Sequence, residues 1–409
     1  MILSKIGCDR NDRLIPVFLF ALSLIIGSSA VYSANSGLSE SSALLSLVLR
    51  LFRYLVVAVC VFVFYNARRK TDNSKVVILL IIYGIYTGLY TADNVETSFG
   101  ILNTIELIVF TFFTLSEQKV IFILIKKYLV IVSILGIVAY FSALLSLGVP
   151  YTINPFYEDT STAVYFNYHF VYLYTGDGLY RLCGLFNEPG YFGTISSLFL
   201  CADRLDLRKI GNVILFIATV LTFSLAAFVV LGVFVLFTFY KNKYVLFSFI
   251  AGVVIFTFLL FHYRDSNRAV DLLIERVEFS DGSLTGYNRE GEIFENAVEK
   301  QRNDTWAYLF GYGTDAQKRF TGSASVSYKR YIYEYGLLGT LFLYSIIIIP
   351  AFKRTKKDYY AIVFVIMFIA ATLQRPYMFQ TLYYMTLYGG IQYVLSMKPI
   401  SKKNKKRAL

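Results

Sequence analysis

Histidine is almost missing from these 409 residues, at two, and cysteine is scarce, at four. His169 and His262 are too few for a histidine-rich metal site, and no Cys/His spacing resembles one. Four cysteines do not make a disulfide framework. Cys8, Cys60 and Cys201 fall in or beside apolar runs, and Cys183 stands alone in a polar segment. Charge is scarce too, with 16% Asp, Glu, Lys and Arg against about a quarter in soluble chains. That shortage excludes a soluble globular enzyme, a disordered chain and a nucleic-acid-binding module. What is present instead is apolar: 56% hydrophobic residues and a mean hydropathy of +0.57. The net charge of +12 is then read first as topology, because Lys and Arg gather in cytoplasmic loops.

A span needs roughly 20 apolar residues. Twelve are read, at 14–33, 43–65, 76–92, 100–116, 128–149, 190–202, 207–223, 224–240, 244–262, 336–352, 359–373 and 383–397. The first is too long for a signal-peptide core and follows Lys5, Arg10 and Arg13, which puts the N-terminus in the cytoplasm. The charges test this map. The inside segments, with the span edge at 207–211, hold 25 of the 39 Lys and Arg; the short outside loops hold two, Arg181 and Arg375. The 73-residue outside segment 263–335 holds ten, and long translocated segments escape the rule. The basic tail 398–409 is expected in the cytoplasm as a stop-transfer anchor. Segment 207–240 reads either as one long span or as two short helices turning near Ser224, and the charge pattern favours two. The expectation is an all-α integral membrane protein, one polytopic domain over 1–409 with about twelve transmembrane helices, and two large outside loops, 150–189 and 263–335. Within the second, Ile293, Phe294, Ala297 and Val298 recur at helical spacing and predict an amphipathic helix lying against the membrane domain.

Chemistry concentrates at Arg181-Leu-Cys-Gly184-Leu-Phe-Asn187-Glu188-Pro189-Gly190-Tyr191-Phe-Gly193, which closes the first outside segment and opens the sixth span. Pro189 suits a first helical turn, and Glu188 before it sits at the positive end of the helix dipole. A free helix N-terminus also attracts anions. Arg181 and Glu188 are therefore candidate functional charges; the alternative is a capped helix start with Glu188 satisfying local amides. Within the spans, Arg50, Arg53 and Glu106 carry charge where it is costly. The two arginines read as ligands for a phosphorylated lipid, as the lining of a substrate groove, or as side chains snorkelling to headgroups. For Glu106 an internal hydrogen bond to Ser, Thr or Tyr is expected. Tyr165, Tyr168, Tyr172, Tyr174 and Tyr180 crowd the first outside segment, as a sugar-stacking surface or as an interfacial belt.

The run from Arg181 to Gly193 resembles the "R-x-x-G-x-F-x-E-P-x-x-x-G" stretch of the polytopic O-antigen polymerase and ligase group. Thr222-Phe-Ser224, Leu309-Phe310-Gly311-Tyr312-Gly313 and Tyr331-Ile-Tyr-Glu334-Tyr-Gly336-Leu-Leu-Gly339 follow in that family's order, so the resemblance covers about 180–340. Ligases carry a periplasmic His about eleven residues before the last of these motifs. The matching place here is near Ser325, with no His, which favours polymerase over ligase. Arg302 and Gly313 also fit a ten-residue Arg-to-Gly spacing described for polymerases.

The resemblance implies a GT-C-like fold in a bacterial inner membrane, with both termini cytoplasmic. It implies transfer of a growing glycan from undecaprenyl pyrophosphate to the non-reducing end of a new lipid-linked repeat at the periplasmic face. The expected partners are that lipid-linked oligosaccharide, membrane lipids and a chain-length regulator, with no nucleic acid. Arginines match pyrophosphate oxygens and stay charged, so Arg181, Arg276, Arg289, Arg302, Arg50 and Arg53 are candidates for the leaving group. Glu188 is the first candidate to take the acceptor proton and His169 the second, since an Arg does not lose its own. Asn187 and Tyr191 flank them as glycan ligands. No cofactor is expected, and the transfer is expected to be metal-independent. The rival functions are an O-antigen ligase, a lipid-linked oligosaccharide flippase or other transporter, and a non-catalytic membrane scaffold.

Overall fold

The computed structural model describes residues 14–29, 40–67, 74–90, 94–155, 164–168, 171–176, 179–240, 242–262, 271, 274, 279–280, 283–284, 292–313, 316–321, 327–375 and 377–397. The chain is mostly helical. Among the described residues, three helices are long and apolar enough to cross a membrane: Leu47–Asn66, Leu115–Leu144 and Tyr328–Arg354. Several shorter apolar helices accompany them, as expected of a helical membrane protein.

The first five helices are α1 (Leu14–Gly27), α2 (Glu40–Asn66), α3 (Ser74–Tyr90), α4 (Asn94–Thr111) and α5 (Leu115–Leu144). Helix α5 departs from expectation: 117–127, read as a cytoplasmic loop, is its first three turns. The cause is a capping box, in which Thr114 accepts from the Glu117 amide and Glu117 from the Thr114 amide. Its charges are held locally, with Lys126 pairing Asp203. The helix also stops at Leu144, not 149.

Among its described residues, segment 150–189, expected as an outside loop, holds a small antiparallel sheet. Strands β1 (Thr152–Pro155), β2 (Val164–Asn167), β3 (Tyr172–Gly176) and β4 (Leu179–Gly184) form a meander in chain order. Four of the five crowded tyrosines are strand residues, with Tyr165 pairing Tyr174, Tyr172 in β3 and Tyr180 pairing Thr175, while Tyr168 follows β2. Buried Leu182 seats β4 against Gly136 of α5.

Next come α6 (Pro189–Ala202), α7 (Ile210–Val220), α8 (Leu225–Phe239) and α9 (Lys243–His262). Segment 207–240 is thus two helices, broken at Thr222-Phe223-Ser224, where Phe223 has a φ of 45° and Ser224 caps α8. Of the second outside segment, the described parts include β5 (Phe279–Ser280), β6 (Ser283–Leu284), α10 (Glu292–Asn303), α11 (Thr305–Phe310) and α12 (Ala316–Thr321). The amphipathic helix is there as α10. Its apolar face, Phe294 and Val298, packs with Ala316 and Tyr333 into a satellite core, while Ile293 is exposed.

Three helices end the chain: α13 (Tyr328–Arg354), α14 (Tyr359–Gln374) and α15 (Thr381–Ser396). Helix α13 is two helices joined at a kink at Gly336, φ 69°. Here two of the sequence motifs interlock. Tyr312 N–H donates to the Tyr333 carbonyl (3.0 Å) and Gly313 N–H to that of Glu334 (2.8 Å). Gly311, with φ 77°, crosses Gly336 so closely that a Cβ on either would lie within 2.4 Å of the other segment's backbone. Only glycine supplies both the positive φ and the room.

The bundle has two polar ends. At one, Asp203 is gripped by Lys126, Lys209 (2.7 Å) and the Tyr393 hydroxyl (2.6 Å). Arg354 there donates to Gln118 (2.9 Å) and covers the Tyr388 ring. The other end carries the sheet, the α7–α8 turn and the heads of α6, α13 and α15.

Candidate functional site

The site is built where short helices stop early. By helix rise α6 is about 21 Å long and α15 about 24 Å, against an apolar layer of about 30 Å. Thr381, the first residue of α15, donates to Glu106 (2.8 Å), about 18 Å along α4 from Asn94. The end of α1 likewise meets α2 well along its length, with Gly27 lying under the Arg53 guanidinium. The heads of α6 and α15 and the end of α1 therefore meet partway along α2 and α4, and helix length alone places a recess at that level, on the sheet side.

Two guanidinium–carboxylate pairs stand in this recess. In the first, Arg53 forks onto Glu106, Nε to Oε1 at 2.9 Å and Nη2 to Oε2 at 2.5 Å. Glu106 is fully buried and Arg53 is 7% exposed. The expected hydroxyl partner of Glu106 is present as Thr381; the arginine beside it was not expected. Neither charge belongs in an apolar layer alone, and each offsets part of the other's cost. Asn103 extends the cluster, accepting from the Thr381 hydroxyl (2.6 Å) and backbone N–H (3.3 Å), and donating to the Phe379 carbonyl.

The second pair is Arg375 with Glu188. Glu188 is the N-cap of α6, and Pro189 opens the helix as expected. The Glu188 side chain does not cap local amides; it reaches Arg375 at the end of α14, 187 residues away. The Arg375 side chain is 1% exposed and that of Glu188 30%, so Glu188 is the accessible member of the pair. Gly190 makes this possible, because a Cβ there would fall 2.1 Å from the Arg375 guanidinium. One short stretch, 375–381, therefore joins both pairs, carrying Arg375 at one end and Phe379 and Thr381 at the other.

Aromatic rings line the walls. Tyr191, 6% exposed, packs on Phe186, Tyr377 and Tyr383 with centroids 4.9–5.4 Å apart. Tyr83 stacks on Phe379 at 3.8 Å.

Arg181 has a different setting from the one its motif suggested. It is 6% exposed in β4, and its guanidinium donates to the Thr222 (3.0 Å) and Phe223 (3.2 Å) carbonyls. Beside it the Leu182 amide donates to the Leu221 carbonyl (2.9 Å). Strand β4 thus satisfies carbonyls that the end of α7 leaves open, and joins the sheet to the α7–α8 turn. Burial pushes the neighbouring Cys183 thiol well above its ordinary range, more than the Arg181 guanidinium draws it down.

The remaining candidates are spread out. Asn187 is exposed beside Glu188, its backbone carbonyl accepting from the Tyr165 hydroxyl (2.5 Å). Arg50 is half-buried on α2, one turn nearer the sheet end than Arg53. Arg302 is exposed in the last turn of α10. His169, Arg276 and Arg289 lie outside the described residues. Arg375 is the residue that sequence reasoning passed over. Its one signal was its rarity, as one of only two basic residues in the short outside loops.

No family model matches the chain, and no curated protein or solved structure matches it.

Proposed function

We propose that the protein is a surface-glycan polymerase of the O-antigen type. It moves a growing glycan from its polyprenyl-pyrophosphate carrier onto the next lipid-linked repeat. The observation that carries this reading is the Glu188–Arg375 pair: a carboxylate 30% exposed, locked by a buried guanidinium, beside a cluster of tyrosines in a bundle of apolar helices. In this reading the sheet end faces the periplasm of a bacterial inner membrane, and both termini are cytoplasmic.

In the transfer, the bond between the anomeric carbon of the growing chain and the pyrophosphate oxygen breaks. A bond from that carbon to the acceptor hydroxyl forms, and lipid pyrophosphate leaves. Glu188 takes the hydroxyl proton. Arg375 holds the carboxylate in one orientation, since guanidinium groups fix carboxylates well. Arg50 and Arg302 are the arginines assigned to the developing charge on the leaving pyrophosphate. Arg53 is committed to Glu106, and Arg181 to the Thr222–Phe223 turn; both are positioning residues here. The tyrosines supply ring faces and hydroxyls to the sugars.

The test is a gel profile of surface glycan from a strain lacking the gene, complemented with wild type, Glu188→Gln or Arg375→Ala. The proposal expects a ladder with wild type and a single repeat unit on the core with either variant. Long polymer left on the lipid carrier in the deletion strain means a ligase instead. Repeat units trapped on the cytoplasmic side mean a flippase.

A further inference from the structure

Helix α11 presents an apolar face that the bundle does not cover. Trp306 is 73% and Phe310 56% exposed, one helical turn apart, with rings stacked at 5.7 Å and 17°. Burial of the opposite face explains their direction: Ala307 is buried, and its carbonyl is held by Gln301 (3.0 Å), which also bonds the Ile332 and Tyr333 carbonyls of α13. The rings cannot turn inward without breaking the Gly311–Gly336 crossing.

That crossing also fixes their depth. From Gly336 to Lys353, with Pro350 in its last turn, α13 runs 17 residues, about 26 Å by helix rise, close to the apolar thickness of a bilayer. Lys353 and Arg354 end it at the opposite polar end, so Gly336 lies near the other boundary of the apolar layer. Just below, Leu338 (47%) and Leu341 (59%) are exposed on the same helix, as lipid-facing residues are. Phe310 adjoins Gly336 and Trp306 sits one turn further along α11. Exposed Arg302 lies in the last turn of the preceding helix, and exposed Arg319, over the Phe320 ring at 5.7 Å, lies in the following one. Aromatic rings at the boundary with cations beside them match the interfacial layer, where ring bodies enter the acyl edge and cations meet phosphates.

We propose that Trp306 and Phe310 anchor the α10–α12 unit in the headgroup layer of the membrane, with lipid as the occupant of the patch. The anchor holds the extramembrane unit down beside the head of α13. It does not depend on the chain's being a glycan polymerase.

The chain has one tryptophan, so the unaltered protein carries its own probe. The measurement is emission excited for tryptophan, in vesicles of phosphatidylethanolamine and phosphatidylglycerol doped with brominated phosphatidylcholine. Bromine near the headgroup end of the acyl chain is expected to cut the emission by about half or more, and bromine near the chain end by clearly less. Aqueous iodide is expected to quench weakly. Strong iodide quenching with no effect of either bromolipid overturns the proposal. So does emission blind to bromolipid that shifts on adding free repeat-unit oligosaccharide, which makes the patch a sugar platform instead.

Discussion

Removing the charge of Glu106 tests whether the recess is built on paired charges. Glu106→Gln keeps the shape and the Thr381 contact but leaves the Arg53 guanidinium, 7% exposed, without a counter-charge. Breaking one side of a buried pair costs about 3–5 kcal/mol. Arg53→Met leaves Glu106 buried without its counter-charge and is expected to cost about as much. The double variant Arg53→Met/Glu106→Gln removes both charges and is expected to cost only about 1–2 kcal/mol, chiefly a weakened hydrogen bond to Thr381. The coupling is then about 4 kcal/mol or more. The assay is denaturation in mixed micelles, followed by a thiol-reactive dye that reports Cys60, Cys183 and Cys201, all buried in the fold. If the double variant loses the sum of the single losses, the two residues do not depend on each other and the paired recess is wrong.

Gly336→Ala and Gly311→Ala are each expected to cost more than about 2 kcal/mol, since each adds a strained φ to a backbone clash; sharply lower yield of folded protein in membranes checks this. Gly190→Ala is expected to push the Arg375 guanidinium off its seat and to copy the glycan defect of Arg375→Ala while the fold, followed by the same thiol dye, survives. Cys183, its thiol held protonated by burial, is expected to resist iodoacetamide at about pH 8 in the native protein and to react once it is unfolded; rapid native labelling contradicts its burial.

Local signals in the chain carried the helical parts. Pro189 and Glu188 marked the start of α6 because cap and first-turn chemistry is set within a few residues. The α7–α8 break was visible in the charge balance around Lys241 and Lys243. The start of α5 was misread because its basic residues looked like a loop, although Thr114 and Glu117 carried the capping pattern. The sheet was hidden by its strands of four to six residues, too short to show alternation. The site was half legible. Glu188, Arg53 and Glu106 stood out as charges in apolar surroundings, but their partners are set by packing. Arg53 and Glu106 are 53 residues apart and Glu188 and Arg375 are 187 apart, and nothing local couples them. Arg181 was legible as important and not as to why: the carbonyls it holds belong to a turn forty residues on.

The most direct measurement is made on purified protein in liposomes supplied with undecaprenyl-pyrophosphate-linked repeat units and nothing else. Lipid-linked oligomers of the repeat should accumulate as free undecaprenyl pyrophosphate is released, and Glu188→Gln should abolish both at unchanged folded yield. A wild-type protein that returns the single repeat unaltered, or a Glu188→Gln protein that polymerises as well as wild type, would contradict a transferase centred on this recess.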